Sequence, residues 1–218
     1  NSDSNKSKTI LKNPLKELFK VFKEEKIRRL SLAFFIYFIA FTGLTNILIF
    51  FLQESLNWTT KASSGTLVVV GIIAIIVQGG LIGPLVKKFG EMRLTLIGSG
   101  FILVACVLLI TSPKINATIN IYSAVSFLAV GAGLITPTLR ALISKKLDIN
   151  NQGSILSNLQ GLQSLGGVLG IAMAGRVYDS FGPKSPFIAG SIILIFMIYL
   201  IADGKNKNTI YDQESKLS

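Results

Sequence analysis

No histidine occurs in this chain, and Cys106 is its one cysteine. The side chains that most often perform covalent chemistry or hold metals are therefore nearly absent. That excludes His-ligated metal sites, Ser–His–Asp triads and Ser–His dyads, and no intramolecular disulfide can form. Cys106 lies within an apolar run, where it reads as a small packing residue. Asp, Glu and Lys are missing from the interior of every long apolar run, and ionisable groups stand only at the margins: Glu54, Arg140, Arg176, Asp179 and Asp203. Neutral polar residues remain inside the runs: Thr42, Thr45, Asn46, Gln78, Tyr122, Ser126, Thr136, Asn158, Gln160 and Gln163. Such groups either hold a passing solute or bond helix to helix at about 0.6–2 kcal/mol each. Gln160 and Gln163, three residues apart, share one helical face. The expected chemistry is binding and passage without cofactor or metal, so the chain is not expected to be an enzyme. Asn46 and Gln163 are expected to face a shared central cavity, since polar groups turned to lipid would have no partner.

The elements that must position these residues follow from composition. Half of the 218 residues are hydrophobic and 15% are charged. A helix needs about 20 apolar residues to cross roughly 30 Å of hydrocarbon. Six runs come near that length: Leu30–Gln53, Thr66–Val86, Leu94–Ser112, Thr118–Ile143, Ile155–Tyr178 and Pro186–Ala202. The last is short and the fifth is rich in Gly and Ser. The expected fold is thus an all-α membrane protein of six transmembrane helices. Residues 1–29 form a cytoplasmic lead-in, 30–202 the bundle and 203–218 a cytoplasmic tail. Leu15, Leu18, Phe19 and Phe22 recur at helical spacing between lysines, which suggests a short amphipathic helix on the membrane surface. A solvated linker fits the same pattern.

The net charge of +11 would suggest nucleic acid in a soluble protein. Its distribution points to a lipid bilayer instead. Eighteen of the 22 Lys and Arg residues fall on one side of the six-run topology, with Lys61, Lys114, Arg176 and Lys184 on the other. This is the positive-inside asymmetry, so both termini are expected in the cytoplasm of a cell inner or plasma membrane. No nucleic-acid partner is expected. Asn57-Trp-Thr59 and Asn116-Ala-Thr118 would be glycosylation acceptors only in a eukaryotic secretory route.

One pattern, G-x-[LV]-x-x-x-F-G, occurs twice: Gly83–Gly90 and Gly175–Gly182. Each copy closes an apolar run, and the charge-derived topology places the copies on opposite sides. Two inverted three-helix units are therefore expected. Gly79 and Gly83 form a G-x-x-x-G pair, as do Gly166 and Gly170, and with Gly175 they are candidate helix-packing residues. A bulky residue at Gly83 or Gly90 is expected to block close helix approach.

These residues carry a resemblance. Gly83-Pro-Leu-Val-Lys-Lys-Phe-Gly-Glu-Met-Arg93 resembles the cytoplasmic loop motif in the carboxyl half of major facilitator superfamily transporters, and Gly79–Gly98 is similar to that segment in tetracycline-resistance and multidrug efflux proteins. Pro137-Thr-Leu-Arg-Ala-Leu-Ile-Ser-Lys-Lys-Leu147, followed by Gln152-Gly153 and the glycine-rich fifth run, resembles spans ten and eleven of the same proteins. The resemblance implies inverted repeats, alternating access, and a pathway lined by the first and fourth helices of this half with the fifth contributing. It implies a loop-motif role for Gly83, Lys87, Lys88, Gly90, Glu91 and Arg93. Lys87 stands where the family usually has Asp, with Glu91 as the substitute acid. The function implied is the carboxyl half of a secondary transporter, a proton-coupled efflux antiporter of amphipathic small molecules. Its partner would be an amino-terminal six-helix half supplying the titrating carboxylate, as the start at Asn1 without Met also suggests. The alternatives are a six-helix scaffold or receptor that does not transport, and an importer of a small solute.

Overall fold

The computed structural model describes Phe19 and residues 21–112, 117–147 and 152–217, the last stretch without side chains beyond Ala202. The expected amphipathic helix lies mostly outside these residues, as do Lys114, Asn116 and the side chain of Asp203. Six long helices make up the described chain: α1 Arg28–Leu56, α2 Thr60–Phe89, α3 Glu91–Ile110, α4 Ala117–Ser144, α5 Gln152–Phe181 and α6 Ser185–Leu217. The last helix continues through 203–217, the stretch read from sequence as the cytoplasmic tail.

Local sequence explains the helix ends. Asn57, in a left-handed conformation, stops α1, and the Thr59 hydroxyl accepts from the Ala62 N–H to start α2. Both copies of the repeated octapeptide end in the same way. Phe89 and Phe181 are the last residues of α2 and α5, and Gly90 and Gly182 follow with φ of 76° and 88°. Within α2, Val77–Leu81 form a π-helical turn. Pro84 accounts for it: its ring opposes the carbonyl four residues back, at Gly80, and the widened turn beneath gives that carbonyl room.

Among the described residues five helices are long and apolar enough to cross a membrane: α1, α2, α3, α4 and the Ser185–Ala202 part of α6. The expected count of six is therefore corrected to five on this criterion. Helix α5 has the length, at 30 residues, but Asn158, Gln160, Gln163 and its serines and glycines dilute its hydropathy. Its place in the bundle comes from α1, against which it packs closely.

Helices α1 and α4 are central, with half of their most apolar stretches buried, whereas α2 is largely exposed. The contacts are closed under one exchange. Swapping α1 with α4, α2 with α5, and α3 with α6 turns α1–α5 into α4–α2, α1–α6 into α4–α3, and α1–α2 into α4–α5, and every one of these pairs touches. This is the contact pattern of two inverted three-helix units. Glycine approaches repeat it. A Cβ on Gly98 of α3 would lie 2.9 Å from the Gly131 carbonyl oxygen of α4, and one on Gly190 of α6 would lie 2.8 Å from Leu44 of α1.

The glycine expectations divide. A Cβ on Gly170 would lie 2.2 Å from the Ile39 carbonyl oxygen, and one on Gly166 would lie 3.1 Å from that of Phe35. This pair brings α1 and α5 backbones together. Around Gly79, Gly83 and Gly175 a Cβ would meet nothing within 4 Å. The packing reading of these three is corrected within this bundle: a side chain at each would point into open space rather than against another helix. Gly90 likewise has open space, and its requirement for glycine is conformational (φ 76°, ψ 157°).

Candidate functional site

Where α1, α4 and α5 meet, the bundle holds a polar cluster. Thr136 and Arg140, one helical turn apart on α4, face α1 and α5. The Arg140 Nη2 donates to Gln160 Oε1 at 2.7 Å and to Gln163 Oε1 at 2.5 Å. Its guanidinium lies over the Phe34 ring, 5.8 Å from the centroid. The Tyr37 and Thr136 hydroxyls are hydrogen-bonded at 3.3 Å, and Tyr37 stacks on Phe41 at 5.5 Å. Tyr37 and Phe34 are fully buried, whereas Gln160 is exposed, so the cluster has a closed aromatic wall and one open side.

Helix geometry sends this arginine inward. A side chain leaves its helix tilted toward the amino-terminal end. Arg140 sits four residues before Ser144, the last residue of α4, about 6 Å along the axis. Its long side chain reaches away from that near end and into the bundle. An arginine drawn to the membrane surface would have to bend the other way. The marginal position read from sequence is thus only the position of its Cα.

Among the pathway candidates the structure brings Thr136, Gln160 and Gln163 together around Arg140. Thr42 lies on the adjacent α1–α5 seam, where a Cβ on Gly167 would be 3.6 Å from its hydroxyl. Asn46 is exposed one turn further on and donates to the Thr42 carbonyl of its own helix at 2.9 Å. Gln78 is exposed at the π turn, beside Gly133. Tyr122 packs at 6.0 Å from Trp58, and Ser126 donates to the Tyr122 carbonyl, so both stand apart from the cluster. Asn158 is half-buried on α5. Tyr37 was missed, because an aromatic in an aromatic-rich run reads as core. The available signal was the four-residue spacing of Thr136 and Arg140.

The loop motif occupies one end of the bundle. Lys87 and Lys88 lie in the last turn of α2, where cations complement the helix dipole. Lys88 lies over the Phe89 ring at 5.3 Å. Glu91 pairs with Lys145, joining the α2–α3 and α4–α5 connections. At the opposite end the Tyr178 hydroxyl donates to Glu54 Oε2 at 2.5 Å, joining α5 to α1.

The family model described as Major Facilitator Superfamily matches residues 2–171. The chain is 29% identical to the class H tetracycline resistance protein of Pasteurella multocida over 131 residues, 60% of this chain and 32% of that protein. It is 25% identical to multidrug resistance protein 2 of Bacillus subtilis over 179 residues, 81% of this chain and 44% of that protein. With human hippocampus abundant transcript-like protein 1 the identity is 21% over 212 residues, 87% of this chain and 41% of that protein. The chain thus spans less than half the length of each of these relatives.

Proposed function

This chain belongs to the major facilitator superfamily, and from that premise we propose that it is one six-helix half, the carboxyl half, of a secondary transporter. The whole protein carries amphipathic small molecules out of the cell by alternating access, in exchange for protons. Efflux is favoured by the relatives named for tetracycline and multidrug resistance. The observation that carries the transport reading is the polar cluster at the meeting of α1, α4 and α5, open on one side and walled by Phe34 and Tyr37 on the other. Its Tyr37, Thr136 and Arg140 lie on α1 and α4, the helices that the pseudo-symmetry makes central, where a solute path between two halves would run. The partner is a second six-helix half, which supplies the proton-titrating carboxylate. The location proposed is the cell inner or plasma membrane, with both termini cytoplasmic.

The test uses everted membrane vesicles containing the protein as its own gene encodes it. Under an imposed proton gradient, tetracycline or another amphipathic aromatic compound accumulates, and a protonophore abolishes the accumulation. Accumulation that ignores the protonophore overturns proton coupling. A panel of such compounds of which none accumulates above empty-vector vesicles overturns transport.

A further inference from the structure

Resting on that transport reading, we propose that Arg140, held by Gln160 and Gln163, is the receptor for the single anionic group of an amphiphile, a carboxylate or a phosphate on an apolar body. Among the described residues the charge at Arg140 has no counter-charge: no carboxylate lies within ion-pairing distance of it, and both of its partners are neutral amide oxygens. An unbalanced cation drawn away from the membrane surface is expensive and in membrane helices usually marks a solute or ion pathway. Two glutamine oxygens lower that cost without cancelling the charge.

The donors are also incompletely used. A guanidinium carries five N–H groups, and both bonds in the cluster come from Nη2. The Nε is buried with no acceptor, and Nη1 has none among the described residues. A carboxylate or phosphate matches this planar fork: it accepts from Nη1 and completes a pair of parallel hydrogen bonds by displacing one glutamine oxygen from Nη2. Phe34 beneath the guanidinium and the two glutamines beside it fix the plane of the fork before a ligand arrives. Pre-ordering of this kind reduces the entropy lost on binding. The apolar body of the ligand finds Phe41, the partly exposed ring that stacks on buried Tyr37 one turn further along α1. Gln160, exposed at the rim, leaves the way in open.

The experiment measures binding by the protein as its own gene encodes it, purified in phosphatidylcholine nanodiscs. The probe pair is 2-naphthoate and its neutral isostere 2-naphthamide. The native protein binds the carboxylate at least tenfold more tightly than the amide. Arg140→Gln removes that preference and Arg140→Lys retains part of it. Equal affinity for the two probes, no binding of the carboxylate, or a preference that survives in Arg140→Gln overturns the proposal. The comparison of probes on the native protein stands even if a variant fails to fold. A second arm replaces part of the phosphatidylcholine with phosphatidylglycerol. Naphthoate binding that is unchanged assigns the site to a soluble solute, and binding that is abolished assigns it to a lipid headgroup; both outcomes support an anion receptor at Arg140. Carboxylate-selective binding without accumulation in vesicles would sink the transport reading alone. Accumulation of amphiphiles without charge preference would sink this inference alone.

Discussion

At the scale of single residues, glycines of identical type in similar motifs have opposite roles, and only contacts distinguish them. Gly170 faces the Ile39 carbonyl, a backbone atom that cannot move aside, so a methyl group placed 2.2 Å from it must push α5 off α1. Gly170→Ala is expected to destabilise by about 1–3 kcal/mol, as overpacking does. Gly83→Ala meets no other helix and is expected to stay within about 1 kcal/mol of the parent, because the helix preference of alanine is opposed by the Pro84 ring, which disfavours a Cβ on the residue before it. Gly90→Ala should lose about 1–3 kcal/mol for backbone reasons alone, since few other residues adopt φ near 76° with ψ near 157°. Unfolding midpoints of the three variants in one detergent check this, and Gly83→Ala falling below Gly170→Ala would refute the division. The G-x-x-x-G spacing made both pairs legible as glycine motifs. It could not show which pair has a neighbour, because that depends on where a second helix runs.

At the scale of the helix, five elements were legible as spans because apolar length is a property of one segment alone. Helix α5 was the weak one for a physical reason. Its polar residues form the cluster, and the glycines that bring it against α1 contribute no hydrophobic drive. Its stability in the membrane therefore depends on α1, through Gly43, Gly166 and Gly170. The segment 152–181 placed alone in a translocon-insertion assay is expected to insert poorly, whereas 91–110 inserts efficiently. Adding 28–56 in the same chain should raise the insertion of 152–181, and Gly170→Leu should cancel the gain. Efficient insertion of 152–181 by itself would show that its composition suffices. The π turn of α2 was not legible, although Pro84 and the Gly79-Gly80 pair were in plain sight. The sequence shows that a ladder bond must fail near Pro84, but not whether the helix kinks or widens there.

At the scale of the whole molecule, the repeat and the charge asymmetry converge on one architecture, and two side-chain pairs mark its ends. Glu91 with Lys145 ties two connections at one end, and Glu54 with Tyr178 ties two helices at the other. The inverted arrangement was readable because the octapeptide recurs where each second helix of a unit stops, and Gly90 and Gly182 give those stops the same backbone form. Arg140 was the part that sequence misplaced. Counting from the end of its run put it at the margin, whereas the tilt of side chains toward the helix amino terminus carries its charge inward. The ends of the bundle give a direct test of orientation. With Cys106→Ala as background, single cysteines at Lys61, Lys184, Arg93 and Lys146 can be challenged with a membrane-impermeant thiol reagent in right-side-out vesicles. The side that carries most lysines and arginines should face the cytoplasm, because moving such charges across the bilayer during insertion is unfavourable. Lys61→Cys and Lys184→Cys are therefore expected to react at once, and Arg93→Cys and Lys146→Cys only after permeabilisation. Reaction of Arg93→Cys together with Lys61→Cys in sealed vesicles would contradict the inverted topology, since nearly the whole of α2 lies between them: Lys61 is in its first turn and Arg93 stands just past its end, in α3.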